Sequence, residues 1–191
     1  MNRSVLDFGE ISLEPLTFST ERLILEPVSL AGLDDFHEYS ICSELYKYLE
    51  FPPFQTIKET QAYLQKLMER SKSPLAQYWF VRAKEYDKVI GSFGIHNLEV
   101  SRGSVEIGYC ISPYYWGNGY FNEAAKLVIE HIFNDLDLHR VVARTSISNK
   151  ASIRGLDKLG FLTEGVMRDY YRGTDGQWFD AVLMAKLNGD R

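Results

Sequence analysis

The sequence of 191 residues has only two cysteines, Cys42 and Cys110, and no C-x-x-C pair. It therefore offers neither a disulfide framework nor a thiolate metal site, and we expect both thiols to be reduced and largely buried. The four histidines show no H-x-H or H-x-x-x-H spacing. The pattern predicts that the protein holds no metal ion.

An excess of basic residues and a long apolar run are also missing. The chain carries 26 acidic and 21 basic side chains, whereas a nucleic-acid-binding protein normally shows a basic surface, so we expect no direct nucleic-acid partner. No apolar run is long enough to cross a bilayer. Asp7 and Glu10 interrupt the segment where a secretory signal would need continuous apolar residues. These features predict a cytoplasmic protein without a membrane partner.

What the sequence does contain is an alternation of strand and helix patterns in the order β-α-α-β-β-β-α-β-α-β-β. Ser29 is a candidate N-cap for the first helix, and Thr56 and Glu59 form a T-x-x-E capping box for the second, with Pro74 just beyond its end. This order predicts an α/β (α+β) fold, a mixed sheet with helices packed on it, in one domain over residues 20–191. Residues 1–19 are expected to be an arm or an extra edge strand. The predicted strands are 22–28, 77–84, 88–97, 105–112, 140–147, 161–171 and 177–187.

Two glycines stand two positions apart in WGNGY (116–120), between a run of aromatic residues and a predicted helix. Glycine allows backbone to approach a ligand closely, and the start of a helix presents unpaired N–H groups that attract phosphate. A dinucleotide fingerprint is excluded because Asn122 occupies the third glycine position, and a P-loop is excluded because G-K-[ST] is absent. The spacing alone indicates a phosphate-binding turn or a plain turn before a helix.

The segments around this turn resemble the GCN5-related N-acetyltransferase (GNAT) superfamily. More narrowly, they resemble its Rim-type branch, which includes enzymes that acetylate the N-termini of ribosomal proteins. The resemblance extends from about residue 20 to residue 187. It is carried by EIGY, WGNGY, LHRV, the N-x-x-S of NKASIR, KLGF and EGVMRD, in this order and at the family's spacing.

The resemblance implies a GNAT fold whose sheet splays between the strands near 105–112 and 140–147, with acetyl-coenzyme A as donor in the opening. Backbone groups near Cys110, Ile111 and Ser112 are expected to bind the pantetheine arm and to polarise the thioester carbonyl. Asn149 and Ser152 are expected to face the pantetheine and the departing sulfur. Main-chain N–H groups would wrap the pyrophosphate at Trp116, Gly117, Asn118, Gly119, Tyr120 and Phe121.

The chemistry requires a neutral amine and stabilisation of the leaving thiolate. Glu106 is our candidate general base, directly or through water, and the alternative is that it orders the sheet or positions substrate. Strand alternation places Glu106 on the face of Cys110 and turns Tyr109 to the opposite face, where we assign it to the core. Leu156 stands where other branches carry a tyrosine acid. Ser152, or a water near it, is the substitute that the Rim branch suggests.

The acceptor is the least determined part of this interpretation. An N-terminal α-amine of a protein is our first hypothesis, and a small amine such as a polyamine or an aminoglycoside is the alternative. A third hypothesis is a non-catalytic module that binds acetyl-coenzyme A. For the oligomeric state, both a monomer and a homodimer are compatible with the sequence. His96 is assigned to the core or rim. Arg168, Asp169 and Asp180 are interpreted as part of an acceptor mouth or as an ion pair. Packing of the last hairpin is assigned to Tyr170, Tyr171, Trp178 and Phe179, with an acceptor-binding wall as the alternative.

Overall fold

The computed structural model describes residues 16–73 and 75–190, and within these ranges the chain forms one eight-stranded sheet and four α-helices. The α/β fold class and the predicted order of elements are confirmed, and the observed strand ends differ from the predicted ones by no more than two residues. The strands are β1 (Phe18–Ser19), β2 (Leu23–Pro27), β3 (Gln77–Ala83), β4 (Lys88–Glu99), β5 (Ser104–Ile111), β6 (Arg140–Ser146), β7 (Leu162–Arg172) and β8 (Trp178–Leu187). The helices are α1 (Leu33–Ser40), α2 (Ile57–Arg70), α3 (Tyr120–Glu130) and α4 (Lys150–Lys158).

The strands follow the order β1-β2-β3-β4-β5-β6-β8-β7 across the sheet. Among them, β5 and β6 form a parallel pair, and every other neighbouring pair is antiparallel. A parallel pair needs a long crossover connection, and α3 supplies it here. The middle of the sheet is therefore the place where two strands end at the same edge.

The two faces of the sheet carry separate apolar cores. On one face of the sheet, α1 and α2 pack through Phe36, Tyr39, Leu64 and Leu67, and we call this side the α1/α2 face. On the other side, α3 and α4 pack onto the larger core, and we call that side the α3/α4 face. Because β5 alternates, Val105, Ile107 and Ile111 join the α3/α4 core while Cys110 packs against the α1/α2 core.

The pairing between β5 and β6 stops early, which confirms the predicted splay. Three registered pairs join the strands, and the last of them is Glu106 with Val142. Beyond this point β5 stays paired with β4 as far as Ile111, and β6 stays paired with β8 as far as Ser146. Each strand follows its outer neighbour, so the sheet opens into a V whose vertex lies at Glu106.

Local capping agrees with the sequence at one helix and differs at another. The Thr56 side chain accepts a hydrogen bond from the Glu59 N–H, as predicted, while the Glu59 carboxylate accepts from the Gln55 N–H. The expectation for Ser29 was wrong: its side chain makes no cap, because the tight turn Leu30–Gly32 intervenes and α1 begins only at Leu33. Pro74 lies outside the described residues.

The beginning of the described chain forms a sheet edge. Phe18 and Ser19 pair with Leu25 and Ile24 of β2, whereas positions 1–15 of the expected arm lie outside the described residues. We retain the boundary near residue 20 as a proposal. In the described ranges, no helix combines the length and apolar character that a bilayer crossing requires.

The burial of Leu156, a residue of α4, allows a test of stability. Leu156 is 0% exposed beneath the sheet, so Leu156→Ala leaves a cavity and should lower the free energy of unfolding by about 2–5 kcal/mol. The same substitution at Leu162, which is 67% exposed, should change that free energy by less than about 0.5 kcal/mol. Denaturant unfolding of both variants measures the difference. Equal losses would contradict the assignment of Leu156 to the core.

Candidate active site

The V opens at the edge of the sheet where the parallel strands β5 and β6 both end. The same edge receives the starts of two helices, α3 with Gly119 at its N-cap and α4 with Asn149 at its N-cap. Helix starts carry partial positive charge and unpaired N–H groups, and ligands of open α/β sheets bind outside the carboxyl ends of parallel strands. This edge is therefore the site at which an extended, anionic ligand fits the fold.

The backbone of β5 supplies polar groups to the opening. The Ser112 N–H donates to the Ile90 carbonyl across 2.7 Å, so Ser112 and, by alternation, Cys110 direct their N–H groups to β4. The same alternation directs the N–H groups of Tyr109 and Ile111 into the V, where β6 has left. Of the three residues that the resemblance suggested for the pantetheine arm, only Ile111 therefore presents its backbone N–H to the opening.

The side chain of Trp116 folds back onto this strand end. Its indole Nε1 donates to the Ile111 carbonyl at 2.6 Å. The indole thus provides the hydrogen-bond donor for the Ile111 carbonyl, at the end of β5, and leaves the Ile111 N–H available to a ligand. The Cys110 thiol faces the α1/α2 core, 3.3 Å from Ser92 Oγ, and burial raises its pKa, which is typical of an inert structural cysteine.

Three buried polar atoms near the V have no hydrogen-bond partner among the described residues: Ser112 Oγ, His96 Nδ1 and Arg144 Nε. Native proteins rarely leave such atoms unpaired, and each invites an explanation. They belong to β4, β6 and the end of β5, the three strands that frame the opening.

The loop 116–119 has the geometry of an anion-binding turn. Gly117 and Gly119 adopt φ values of 81° and 79°, a left-handed conformation that favours glycine. Asn118 donates from Nδ2 to the carbonyls of Tyr115 and Trp116, which closes the loop on itself. No side chain caps the first turn of α3 within the described residues, so its N–H groups stay available.

Tyr120 and Phe121 contribute to this loop through their backbone, because their side chains serve the core. The Tyr120 ring is buried, and the Phe121 ring packs against α4 so closely that a Cβ at Gly155 would lie 2.6 Å from it. The expectation of main-chain contacts at these two positions is compatible with this packing.

Arg22, which we did not identify from the sequence, lies just before β2 and stabilises the loop 116–119. It donates to the Asn118 carbonyl at 3.1 Å and from Nε to Glu123 at 2.8 Å, and it lies 4.7 Å over the ring of Tyr120. Thr20 donates to the other oxygen of Glu123. These contacts tie the turn before β2 to the first turn of α3, about a hundred positions away, and fix the loop without using its N–H groups.

Asn149 and Ser152 lie together at the start of α4. The Asn149 Oδ1 accepts from the Ser152 N–H at 3.1 Å, so Asn149 acts as the N-cap. The Ser152 hydroxyl lies 2.6 Å from the Tyr109 hydroxyl. Tyr109 was assigned to the core, and its ring does stack on Phe93 and Phe121, but this assignment missed the role of its hydroxyl.

Glu106 stands at the vertex of the V on the α1/α2 face. Its Oε2 accepts from Arg144 Nη1 at 2.7 Å and from Asn97 Nδ2 at 2.9 Å. Both bonds reach the same oxygen, and within the described residues none reaches Oε1. The carboxylate is therefore held in a fixed orientation with one oxygen open.

Neither partner of Glu106 was predicted. Asn97 has a φ of 53° at an irregular step of β4, a conformation that asparagine tolerates better than most residues, and this step brings its amide to the carboxylate. Arg144 alternates with buried neighbours in β6. An arginine in a predicted central strand was the sequence feature that could have identified it as part of the site. Arg144 also donates to Tyr170 Oη at 3.1 Å, so Tyr170 belongs to this network as well as to the last hairpin.

His96 lies opposite Glu106 in the pairing of β4 with β5. Burial lowers the pKa of its imidazole, although the Glu106 carboxylate opposes the shift, so the ring is neutral at neutral pH. A Cβ at Gly108 would lie 3.1 Å from its Cε1, and this glycine therefore makes room for the ring. In the described ranges, no group of three or more His, Cys, Asp or Glu side chains is placed to hold a metal ion.

In the last hairpin, the structure shows which contact Asp180 makes. Asp169 has a φ of 50° at an irregularity of β7, and its N–H donates to the Asp180 carboxylate at 2.9 Å. Asp180 thus stabilises a bulge rather than an ion pair with Arg168. Trp178 is exposed beneath Arg172, and the Arg172 N–H lies 3.4 Å from Glu50 of the loop between α1 and α2.

Comparison with known proteins gives the same assignment as this geometry. Residues 22–162 match the family described as an acetyltransferase (GNAT) domain. The chain is 32% identical to "Uncharacterized N-acetyltransferase p20" of Bacillus licheniformis over 171 residues, which cover 90% of this chain and 96% of the relative. It is 34% identical to the "[Ribosomal protein uS5]-alanine N-acetyltransferase" of Escherichia coli over 133 residues, 68% of this chain and 67% of that one.

Among solved structures, the ribosomal-protein-S5-alanine acetyltransferase of Vibrio fischeri superposes with a TM-score of 0.78 at 26% identity. The match covers 92% of this chain and 98% of that one. The relatives are named as acetyltransferases, and the splayed sheet with its glycine loop fits acetyl-coenzyme A as the donor. The chain therefore belongs to the GNAT family of acetyltransferases and resembles its Rim-type branch.

Proposed function

We propose that the protein transfers the acetyl group of acetyl-coenzyme A to the N-terminal α-amine of a protein, with Glu106 as the general base. The observation that supports this most is the carboxylate of Glu106 at the vertex of the V, where donor and acceptor meet, with one oxygen open. The similarity to an enzyme named for ribosomal-protein alanine supports the acceptor class.

In this proposal the donor lies along the V. The loop 116–119 and the first turn of α3 bind the pyrophosphate through N–H groups, since the helix start favours negative charge. The pantetheine follows the unpaired edge of β5 and bonds to the backbone of Tyr109 and Ile111. One of these N–H groups polarises the thioester carbonyl and stabilises the oxyanion that forms on attack.

The acceptor approaches from the α1/α2 face, to which Glu106 belongs. The neutral amine attacks the thioester carbon, and the Glu106 carboxylate accepts the proton that the nitrogen must lose. Arg144 and Asn97 hold the carboxylate by its other oxygen, so the accepting oxygen keeps its orientation. An α-amine suits such a base because about a fifth to a third of it is already neutral near pH 7.4.

An amine panel tests the acceptor. We expect a peptide with a free N-terminal alanine to release thiol from acetyl-coenzyme A faster than the same peptide with a blocked N-terminus and an internal lysine. Spermidine and an aminoglycoside serve as the small-amine arms. Mass spectrometry of the products locates the acetyl group. Faster turnover of a small amine, or acetylation at the lysine, would overturn the proposed acceptor class and leave the acetyltransferase assignment intact.

The donor loop gives a second test. Gly119→Val should abolish measurable coenzyme A binding while the protein stays folded, because a β-branched residue resists a φ of 79° and its Cβ would lie 3.8 Å from Arg22 Nη2, the guanidinium that bonds to the loop. Calorimetric titration with coenzyme A measures the affinity.

Gly176 provides the matched control. It lies in the turn between β7 and β8 with a φ of 81° and open space around it, so Gly176→Val carries the same backbone strain of about 1–2 kcal/mol. Its coenzyme A affinity should equal that of the unmodified protein. If Gly119→Val binds coenzyme A equally well, the pyrophosphate lies elsewhere.

The base is tested by Glu106→Gln. We expect the rate to fall by about a hundredfold at neutral pH, with folding and coenzyme A affinity retained. Raising the pH should recover part of the loss, because more of the amine then arrives neutral. Steady-state rates measured across the pH range give both results.

Glu164→Gln is the control, since Glu164 also pairs with an arginine, Arg140, but lies on β7 away from the V. Its rate should be unchanged. Near-normal activity of Glu106→Gln at every pH would place the base at another residue. A large loss that does not respond to pH would make Glu106 an orienting group.

A further inference from the structure

The contact between Tyr109 and Ser152 joins two elements that line the V from different sides. Tyr109 belongs to β5, Ser152 lies in the first turn of α4, and their hydroxyl oxygens are 2.6 Å apart, although the residues are 43 positions apart in sequence. Both side chains are partly buried on the α3/α4 face, opposite the face of Glu106. The contact therefore lies on the donor side of the site.

We propose that Tyr109 is a positioning residue: its phenol donates to Ser152 Oγ and thereby directs the serine hydrogen toward the sulfur of coenzyme A. This inference rests on the proposed acetyl transfer and on the place that the resemblance suggests for Ser152, beside the departing sulfur. It adds a residue that sets the direction of the serine hydroxyl.

The direction of the hydrogen bond follows from the acidity of the two groups. A phenol is the stronger acid and the better donor, whereas a serine hydroxyl has one hydrogen and two lone pairs and serves equally well as acceptor. Burial raises the pKa of Tyr109 to about 12, although the bond to Ser152 opposes the shift, so the phenol keeps its hydrogen at every pH at which the enzyme works. Ser152 can then accept from Tyr109 and donate elsewhere.

The surroundings of the phenol keep it in place. Its ring centroid lies 4.3 Å from that of Phe121 and 5.5 Å from that of Phe93, so the ring has little freedom to turn away from Ser152. Asn149 meanwhile holds the Ser152 N–H as N-cap. The serine is thus held at its backbone by Asn149 and at its oxygen by Tyr109, and its hydrogen is the remaining free group.

This arrangement fits the second half of acetyl transfer. When the tetrahedral intermediate collapses, the C–S bond breaks, its electron pair goes to sulfur, and the amine proton has gone to Glu106. The Ser152 hydroxyl donates a hydrogen bond to the thiolate without losing its hydrogen, and the thiolate leaves. A hydroxyl that already accepts a hydrogen bond is a better donor, so the phenol strengthens this contact.

A double-mutant cycle tests the inference. Tyr109→Phe keeps the stacked ring and removes only the hydroxyl, and Ser152→Ala removes its partner. With acetyl-coenzyme A and the fastest amine of the panel, we expect Tyr109→Phe to lower kcat roughly tenfold and Ser152→Ala to lower it by about ten- to a hundredfold. The KM for the acceptor and the affinity for coenzyme A should change little. The double variant should be no slower than Ser152→Ala, because both changes remove one function.

Tyr78→Phe is the control, since Tyr78 is a buried tyrosine of β3 in the α1/α2 core, away from Ser152, and its kcat should be unchanged. Thermal unfolding of each variant separates loss of fold from loss of turnover. A loss below about threefold for Tyr109→Phe, or losses that multiply in the double variant, would overturn the inference. These outcomes leave the acetyltransferase activity standing, which fails if no amine of the panel is acetylated.

Discussion

The separation of β5 from β6 is the constraint on which the site depends. The two strands pair over three residues and then follow different partners, β4 on one side and β8 on the other. Unpaired backbone in the middle of a sheet is costly unless another group bonds to it, so groups other than a neighbouring strand must pair with the backbone in the V. The amide-containing arm of coenzyme A is an occupant that can pair with such an edge, much as a missing strand would. The same separation places Glu106 at the vertex.

Alternation along β5 divides the chemistry between the two faces of the sheet. Glu106, Gly108 and Cys110 belong to the α1/α2 face, and Tyr109 belongs to the α3/α4 face. The residues proposed to act on the amine are therefore on one side, and those proposed to act on the thiolate are on the other. In this proposal the thioester in the V lies between them, so that one short strand would serve both halves of the reaction.

Local signals allowed most of the fold to be predicted. Periodicity located the strands to within two residues, and the pair of Thr56 and Glu59 identified the start of α2. The same rules failed at Ser29, because a tight turn intervenes before α1 and propensity does not reveal it. The resemblance, for its part, suggested backbone contacts near Ser112, whose N–H bonds to Ile90; the direction of an N–H group depends on which neighbour the strand pairs with.

The sequence by itself determined the order of elements, the glycine loop and the candidate residues Glu106, Asn149 and Ser152, because these depend on local spacing or on motifs. Only the tertiary structure decided which side chains meet them. Arg144 is 38 positions from Glu106, Tyr109 is 43 from Ser152, and Arg22 is 96 from Asn118. These contacts arise from strand pairing and helix packing, which bring distant segments together. No local pattern encodes them, and so the network around each candidate residue appears only in the folded chain.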